Sequence, residues 1–171
     1  SWIFLVDYDG DGQKDLFTLG GLYGNIRVYH NETQNGQAGF RLVTDMLMTD
    51  GLSARQPLFV SAADLPSITD VDDDGDVDIL TFDVTGNRIA FQQNMSVDRT
   101  GKPGLDFKRI SCQTWGHFQK EFCNDFKFGI PCNENQSSDL LLVTSTPNPT
   151  STGARPMHSG NTLSILDTDG D

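Results

Sequence analysis

Carboxylates recur at fixed spacing in three short clusters of this 171-residue chain. Two clusters follow the pattern D-x-D-x-D-G-x-x-D and begin 63 residues apart, and a third begins the same pattern near residue 170. Because like charges this close repel one another, the pattern favours a bound cation. The candidate ligands are Asp7, Asp9, Asp11, Gln13 and Asp15 in acidic loop 1, Asp70, Asp72, Asp74, Asp76 and Asp78 in acidic loop 2, and Asp167, Asp169 and Asp171 in the third loop.

The chemistry that suits this spacing is coordination of Ca²⁺, which takes about six to eight oxygen ligands. Carboxylates at the first, third and fifth positions converge when the chain curls around an ion, and the glycine at the sixth position permits the turn. The seventh position commonly offers its backbone carbonyl, and the ninth returns another carboxylate. We expect a calcium site in each complete loop. The third loop has only the first three acids, so its occupancy stays open.

The flanks of these loops distinguish them from an EF-hand. An EF-hand loop carries glutamate at its twelfth position and lies between two helices. The twelfth position is Thr18 in acidic loop 1 and Thr81 in acidic loop 2, each inside an apolar run with β character. Helical periodicity is absent on both sides, so the sequence predicts a strand–loop–strand arrangement.

The net charge of −12 comes mostly from these clusters. They hold 13 of the 24 acidic residues, and the other 11 are balanced by 12 Lys and Arg. The acidity argues against nucleic acid as a partner, since phosphate binding needs a basic patch. No apolar run approaches the roughly 18 residues that a membrane-spanning helix needs, which excludes direct membrane insertion of this chain. The acidity therefore indicates a metal requirement rather than a charged partner.

Short apolar or alternating runs, bounded by Gly and Asn turns, predict strands on both sides of each complete loop and an all-β fold. The dipeptide Asn35-Gly36 predicts a tight turn between two of them. The predicted strands are residues 2–6, 15–20, 25–31 and 40–47 in the first repeat, and residues 57–60, 67–71, 78–84, 88–94 and 105–110 in the second.

The acidic loops and their apolar flanks resemble the calcium-binding motif of FG-GAP/VCBS repeats, which form the blades of integrin-α-like β-propellers. The resemblance covers roughly residues 1–98 and 139–171. It implies four-stranded antiparallel blades with calcium loops between strands. Because a propeller needs at least about four blades, we expect an incomplete propeller that belongs to a longer polypeptide.

The chain divides into four predicted parts. Residues 1–56 form the first repeat and residues 57–110 the second. Residues 111–160 form an insertion that contains the cysteines, and residues 161–171 start a third repeat that stops within its calcium loop.

A narrower resemblance is carried by Cys112-Gln-Thr-Trp-Gly-His-Phe, by Cys132 and by His158-Ser-Gly-Asn-Thr-Leu. It is to repeat proteins exported by Bacteroidota, which often carry a sorting domain for the type 9 secretion system. It favours a Cys112–Cys132 disulfide, with Cys123–Cys132 as the alternative. It also implies a secreted or cell-surface protein, with type 9 secretion components or an outer-membrane complex as candidate partners.

Catalytic motifs are absent from the sequence. It contains no G-x-S-x-G elbow, HExxH helix, P-loop or GxGxxG turn, and calcium accounts for the paired carboxylates better than glycoside hydrolysis does. We expect His30, His117 and His158 to be packing or surface residues. The predicted function is non-enzymatic binding or adhesion to a protein or glycan. The alternatives are the propeller scaffold of a secreted carbohydrate- or lipid-active enzyme with its catalytic residues elsewhere, and a cargo or accessory subunit of an outer-membrane secretion assembly.

Overall fold

The computed structural model describes residues 2–20, 24–110, 115–120, 125–132 and 162–165. Across these ranges the chain is all-β, as predicted, with twelve strands, one short α-helix and one 3₁₀ turn. The strands form sheets of four, six and two strands, and none of the three closes on itself within the described ranges.

The first sheet is antiparallel throughout, and its strands follow one another in chain order. All four of its strands were predicted, although the last ends at Thr44 rather than at Leu47. Acidic loop 1 is the connection between its first two strands. The strands are β1 (Ile3–Val6), β2 (Asp15–Gly20), β3 (Asn25–Asn31) and β4 (Phe40–Thr44).

The connection from β3 to β4 contains the predicted tight turn. Asn35 has φ 53° and Gly36 has φ 77°, so both central residues are left-handed. Gln34 and Gln37 exchange backbone hydrogen bonds of 3.1 and 2.9 Å across them. Two successive left-handed residues are the requirement of a type I′ hairpin turn, which Asn-Gly meets at little cost. This prediction is confirmed.

The second sheet has six strands, whereas the sequence predicts five in the second repeat and the family resemblance implies four per blade. Its strand order is β6-β5-β10-β9-β8-β7, and β5 pairs with β10 in parallel while the other neighbours are antiparallel. Acidic loop 2 connects β7 to β8. The strands are β5 (Met48–Asp50), β6 (Arg55–Pro57), β7 (Ser67–Thr69), β8 (Asp78–Phe82), β9 (Ile89–Asn94) and β10 (Phe107–Arg109).

Residues 58–60 lie between β6 and β7 and contact the first sheet, instead of forming the predicted strand over residues 57–60. The backbone N–H of Leu58 donates to Leu47 O at 2.8 Å, and that of Val60 donates to Gly24 O at 2.9 Å. Both side chains are almost fully buried. Their burial holds the segment against the first sheet, so it packs the two sheets together within the connection from β6 to β7.

The main core contains side chains from both sheets. Apolar residues of β2 and β3 meet those of β7, β8 and β10 there. Its buried members are Trp2, Tyr8, Phe17, Ile26, Val28, Leu47, Leu58, Val60, Ile68, Ile79 and Phe107.

A second core lies on the other face of the six-stranded sheet. Leu80, Phe82, Ile89 and Phe91 form it, and Trp115 and Phe118 are among the side chains that pack against it. Because successive side chains of a strand point to opposite faces, β8 contributes Ile79 to one core and Leu80 to the other. All five residues of β8 are therefore buried.

The remaining elements are short. The helix α1 (Ser96–Thr100) follows β9, and a 3₁₀ turn (Trp115–His117) leads into the antiparallel pair β11 (Phe118–Lys120) and β12 (Phe126–Phe128). Neither helical element in the described ranges has the length and apolar character needed to cross a membrane.

Candidate metal centres in the two acidic loops

Acidic loops 1 and 2 adopt the same backbone conformation at two diagnostic points. Gly10 has φ 75° and its equivalent 63 residues later, Asp73, has φ 59°. Gly12 has φ 86° and its equivalent, Gly75, has φ 95°. Left-handed residues at the fourth and sixth positions curl each loop, and the aspartate at residue 73 carries more strain there than a glycine does.

The first carboxylate of each loop is fixed by backbone donors. Asp7 Oδ2 accepts the N–H of Gly12 at 2.9 Å, and Asp70 Oδ2 accepts the N–H of Gly75 at 3.0 Å. Each bond draws the sixth residue back over the first, because an aspartate side chain readily bonds to nearby backbone N–H groups. The two loops are thus closed in the same way.

The ninth residue of acidic loop 1 ties the loop to the sheet. Asp15 is fully buried. Its Oδ2 accepts the backbone N–H of Tyr8 at 3.2 Å, and its Oδ1 accepts that of Asn31 in β3 at 2.8 Å. The Asn31 side chain returns a bond to Lys14 O at 2.8 Å. One carboxylate therefore joins both ends of the loop to the neighbouring strand.

Acidic loop 2 repeats this arrangement at every equivalent position. Asp78 is fully buried, and it accepts the N–H of Val71 at 3.0 Å and that of Asn94 in β9 at 2.7 Å. Asn94 Nδ2 donates to Val77 O at 3.1 Å. The 63-residue offset therefore extends beyond the loops to β3 in the first sheet and β9 in the second.

Carboxylate oxygens converge in both loops. The first, third and ninth acids each place one oxygen within 4.8 Å of the others. In acidic loop 1 a second group, which shares Asp9, adds Asp11 and His30. Asp74 and Asp76 belong to no such group among the described residues. The two main groups are Asp7, Asp9 and Asp15, and Asp70, Asp72 and Asp78.

The fifth position shapes the loop in a similar way in both repeats. Asp11 Oδ1 accepts the backbone N–H of Gln13 at 2.7 Å, and Asp74 Oδ1 accepts that of Asp76 at 3.1 Å. The two seventh positions then differ. Gln13 remains partly exposed, whereas Asp76 is only 2 % exposed.

Asp76 has a buried oxygen without a partner. Its Oδ2 accepts the N–H of Val97 at 2.9 Å, while its Oδ1 is enclosed and makes no hydrogen bond. Burial raises the pKa of Asp76 to about 6, although the Val97 N–H acts in the opposite direction. An unpaired carboxylate oxygen is costly to bury, and Asp76 bears this cost outside the group of converging carboxylates.

Burial raises the pKa of Asp78 even more than that of Asp76. Burial raises the pKa of Asp78 to about 7, and the two backbone N–H groups that it accepts offset only part of this effect. In acidic loop 1, burial and then the charge of Asp15 raise the pKa of Asp9. A nearby cation favours the ionised form of a carboxyl group, and these carboxyls are placed to benefit from one.

The sequence patterns did not predict a ligand role for the residue that faces the carboxylate at the third position of each loop. His30 Nδ1 lies 3.2 Å from Asp9 Oδ2 and 3.2 Å from Asp15 Oδ1. Its equivalent in the second repeat, Gln93, donates from Nε2 to Asp72 Oδ2 at 2.6 Å. Extending the 63-residue offset along β3 and β9 identifies both residues, and this was the available signal.

Several predicted residues lie outside the described ranges. They include the third-loop acids Asp167, Asp169 and Asp171, as well as Cys112, Cys123 and His158. Cys132 takes part in a disulfide bond. Since both candidate partners are outside the described ranges, its pairing with Cys112 stays a prediction.

The arrangement as a whole can hold cations between strands that are already linked by hydrogen bonds. Each complete loop brings three carboxylates together, and one of those in acidic loop 2, Asp78, is buried at an energetic cost that an ion would offset. Comparison with protein-family models gives no match, and neither do comparisons with curated proteins and with solved structures. The chemical interpretation therefore rests on the geometry of the loops.

Proposed function

We propose that this chain is a calcium-stabilised segment of an FG-GAP/VCBS-type β-propeller. In this proposal it belongs to a secreted or cell-surface protein that binds a protein or glycan without catalysing a reaction. The observation that carries the proposal is the repetition, 63 residues apart, of one loop with the same hydrogen bonds and the same three converging carboxylates. Acidic turns on a solvated surface have no reason to repeat buried contacts.

Oxygen chemistry supports calcium as the ion. The main converging group in each loop consists of carboxylates alone, and hard cations prefer oxygen ligands. Ca²⁺ accepts irregular coordination more readily than Mg²⁺, which demands near-octahedral geometry. Backbone carbonyls at the seventh position and water would complete the coordination shell.

The order of the strands supports repeated blades. Strands β7, β8, β9 and β10 are antiparallel neighbours in chain order, as are β1 to β4. Each acidic loop connects the first strand of such a set to the second. The pair β5–β6 adds to the edge of the second set through β10. This repetition of a four-stranded antiparallel set, extended by one pair in the second repeat, supports the proposal of FG-GAP/VCBS-type blades.

In this proposal the role of calcium is structural. An ion that binds only the folded chain stabilises it by mass action, by about 2.7 kcal/mol when its concentration is 100 times the dissociation constant. It would also relieve the cost of burying Asp78, which belongs to the converging group. Without the ion, the carboxylates within each loop repel one another. With the ion bound, they hold the two adjoining strands together.

A melting experiment on the 171-residue chain tests the calcium sites. We expect EDTA to lower Tm and excess Ca²⁺ to restore it, with about two ions bound per chain by isothermal titration calorimetry. The matched variants Asp7→Asn and Asp70→Asn should each remove one of these ions. Equal Tm in EDTA and in Ca²⁺, with no heat of binding, would contradict the proposal.

The binding role requires a separate measurement. The calcium-loaded chain should be retained on an immobilised panel of glycans or of extracellular-matrix proteins, and it should release no product from polysaccharide or phospholipid substrates. Turnover that persists through purification to homogeneity would instead favour an enzyme.

A further inference from the structure

The first sheet has an apolar side that faces away from the main core. Successive side chains of a strand point to opposite faces, so the neighbours of the core residues Phe17 and Val28 point outward. On this side Leu5 is 57 % exposed and Leu42 is 49 % exposed. We call it the open face, and its apolar and aromatic members are Ile3, Leu5, Leu16, Tyr29, Phe40 and Leu42.

The equivalent face of the second sheet is buried in the main core. Phe40 and Phe107 correspond because each lies opposite the asparagine that ends the preceding strand of its sheet. Phe107 is fully buried, whereas Phe40 is 44 % exposed. The 63-residue offset relates two further pairs in the same way. The buried equivalents of Leu5, Leu16 and Phe40 are Ile68, Ile79 and Phe107.

The first sheet provides the cover for that buried face. Its residues Phe17, Ile26 and Val28 share the main core with the buried face of the second sheet. Large apolar side chains from both partners leave water in such face-to-face packing, which stabilises it. The molecule therefore shows which surface fits the open face, namely the core side of another sheet of the same repeat.

The strand edges of the two repeats differ in the same way. β4 ends the first sheet, whereas its equivalent, β10, pairs in parallel with β5 of the first repeat. Lys108 of β10 lies opposite Asp50 of β5. Arg41 takes the place of Lys108 in β4, where it lies next to Phe40. Because opposite charges favour the pairing of two strands, a cation at both places favours the same acidic strand partner.

We propose that the open face and the edge of β4 together form a docking surface for a further repeat of the same kind. That repeat lies against the first sheet as the first sheet lies against the second. Its equivalents of Phe17, Ile26 and Val28 cover the open face, and its equivalent of β5 pairs with β4. The inference rests on the proposed function in one respect, namely that the chain belongs to a longer protein with more repeats. It names the surface through which one of these joins.

A second copy of the chain does not offer the required surface. In such a copy the core side of the first sheet already covers the second sheet. The corresponding side of the second sheet contains Leu80 and Phe91, against which Trp115, Phe118 and Leu163 pack. Since both sides are occupied, the occupant is another repeat of the same polypeptide.

The test extends the 171-residue chain at its amino end by a copy of residues 1–63, which is one full period of the repeat. The added copy carries Met46→Leu, so that mass spectrometry distinguishes its β4 peptide from the native one. We expect hydrogen exchange of the native β4 amides to slow about tenfold or more relative to the 171-residue chain, because the edge gains a strand partner. The extended chain should sediment as a monomer.

Substitutions on the open face identify the contact. The double variant Ile3→Asn/Leu5→Asn in the native copy should return exchange in β4 to the rate of the 171-residue chain. In the 171-residue chain the same double variant should change Tm by less than about 4 °C, because both side chains are exposed. The control Val84→Asn replaces an exposed apolar side chain of the second repeat, and it should leave exchange in β4 slow.

A second measurement does not depend on the folding of the added copy. Anilinonaphthalene sulfonate, a dye that binds exposed apolar surface, should bind the open face of the 171-residue chain. The double variant should lower its fluorescence by about half or more, and Val84→Asn should not. Unchanged exchange in the native β4 of the extended chain, or dye fluorescence that the double variant leaves unchanged, would overturn the inference. A dimer of the 171-residue chain that the double variant dissociates would also overturn it, since a second copy would then be the occupant.

The outcomes also separate this inference from the proposed function. Normal stabilisation by Ca²⁺ together with unchanged exchange in β4 would refute the docking surface alone. Slow exchange in β4 of the extended chain, without any effect of EDTA or Ca²⁺ on Tm, would refute the calcium proposal and leave the docking surface in place.

Discussion

Acidic loops 1 and 2 share their backbone and their hydrogen bonds, yet they differ in how deeply their fifth and seventh positions are buried. The ninth acids, Asp15 and Asp78, are both fully buried, whereas at the seventh position Gln13 is partly exposed and Asp76 is only 2 % exposed. Burial raises the pKa of Asp78 to about 7 and that of Asp76 to about 6. The same spacing of acids therefore produces different electrostatics, according to what covers it.

The cover comes from the segment that follows the third strand of each repeat. After β9 the chain forms α1 and returns to β10, and Asn94 bonds to Gly104 O at 2.8 Å and to the Ser96 hydroxyl at 2.7 Å. After β3 the chain forms only the Asn35-Gly36 hairpin, which leaves a polar groove beside the loop. The enclosure of a site is thus decided by a connection outside its motif.

Removal of the ninth carboxylate gives the largest expected effect and compares the two loops directly. Asp78→Ala leaves the N–H groups of Val71 and Asn94 without acceptors, and each buried unsatisfied group costs about 1–3 kcal/mol. We expect a loss of about 3–5 kcal/mol in the free energy of unfolding, measured by urea denaturation. Asp15→Ala should lose about 2–3 kcal/mol, because Asn31 is less buried than Asn94. Losses below about 1 kcal/mol in both would show that these bonds do not anchor the loops.

The pH dependence of the metal-free chain is the next largest effect. Asp76 and Asp78 ionise near pH 4 when unfolded, but their pKa values are raised to about 6 and about 7 in the folded chain. The folded chain therefore binds more protons, so its stability is full below pH 4 and falls as pH rises through 6 and 7. We expect a loss on the order of 2–4 kcal/mol between pH 5 and pH 8 in EDTA.

Calcium provides the control for this pH effect. A bound ion favours the ionised carboxyls, so saturating Ca²⁺ should flatten or reverse the slope above pH 6. Urea midpoints at pH 5 and pH 8, each in EDTA and in Ca²⁺, measure the pH dependence of stability without and with the ion. Stability that rises with pH in EDTA would show that acidic loop 2 does not carry the strain we assign to it.

Most of the features that were predicted correctly from the sequence depend on local patterns. The first four strands and the central strands of the second repeat coincide with apolar runs bounded by turn residues. The alternation of apolar and polar side chains and the Asn35-Gly36 pair were therefore sufficient to predict these strands and the hairpin turn. The acids that converge were also visible, because their spacing is set by a loop of nine residues. Local sequence specifies these features because all their partners lie close in the chain.

Features that depend on distant partners were missed. The strand β5 has three residues and pairs with β10 in parallel, more than 50 residues away, so neither length nor alternation marked it. The helix α1 has five residues and begins after Met95, which provides no side-chain cap. His30 gained its place from β3, which lies beside the loop only in the folded sheet.

A smaller effect should follow from the seventh position, where the loops differ by one side chain. Asp76→Asn removes a buried charge whose Oδ1 has no partner. We expect it to stabilise the metal-free chain at pH 8 by about 1–2 kcal/mol and to weaken stabilisation by Ca²⁺, because the buried Asp76 charge interacts with those of Asp70 and Asp72 although it lies outside their converging group. The control Gln13→Asn, at the partly exposed equivalent, should change neither by more than about 0.5 kcal/mol. Loss of stability in EDTA would mean that the Asp76 charge is already compensated.

The smallest expected effect concerns the fourth position, where acidic loop 1 has Gly10 and acidic loop 2 has Asp73. Both residues are left-handed, with φ 75° and 59°, and a side chain at such an angle costs up to about 1 kcal/mol relative to glycine. Asp73→Gly should therefore raise the free energy of unfolding by about 0.5–1 kcal/mol without changing Ca²⁺ affinity, since Asp73 is outside the converging group.

The reciprocal change sharpens this comparison. Gly10→Asp should lower stability by about 1 kcal/mol, and its Cβ would also lie 3.4 Å from Pro103 Cγ. Opposite signs in the two variants, read from urea midpoints in EDTA and in Ca²⁺, are expected if the loops differ in strain but not in conformation. A destabilised Asp73→Gly chain would instead show that the Asp73 side chain helps to hold acidic loop 2 in shape, which would make the two loops less alike than their hydrogen bonds indicate.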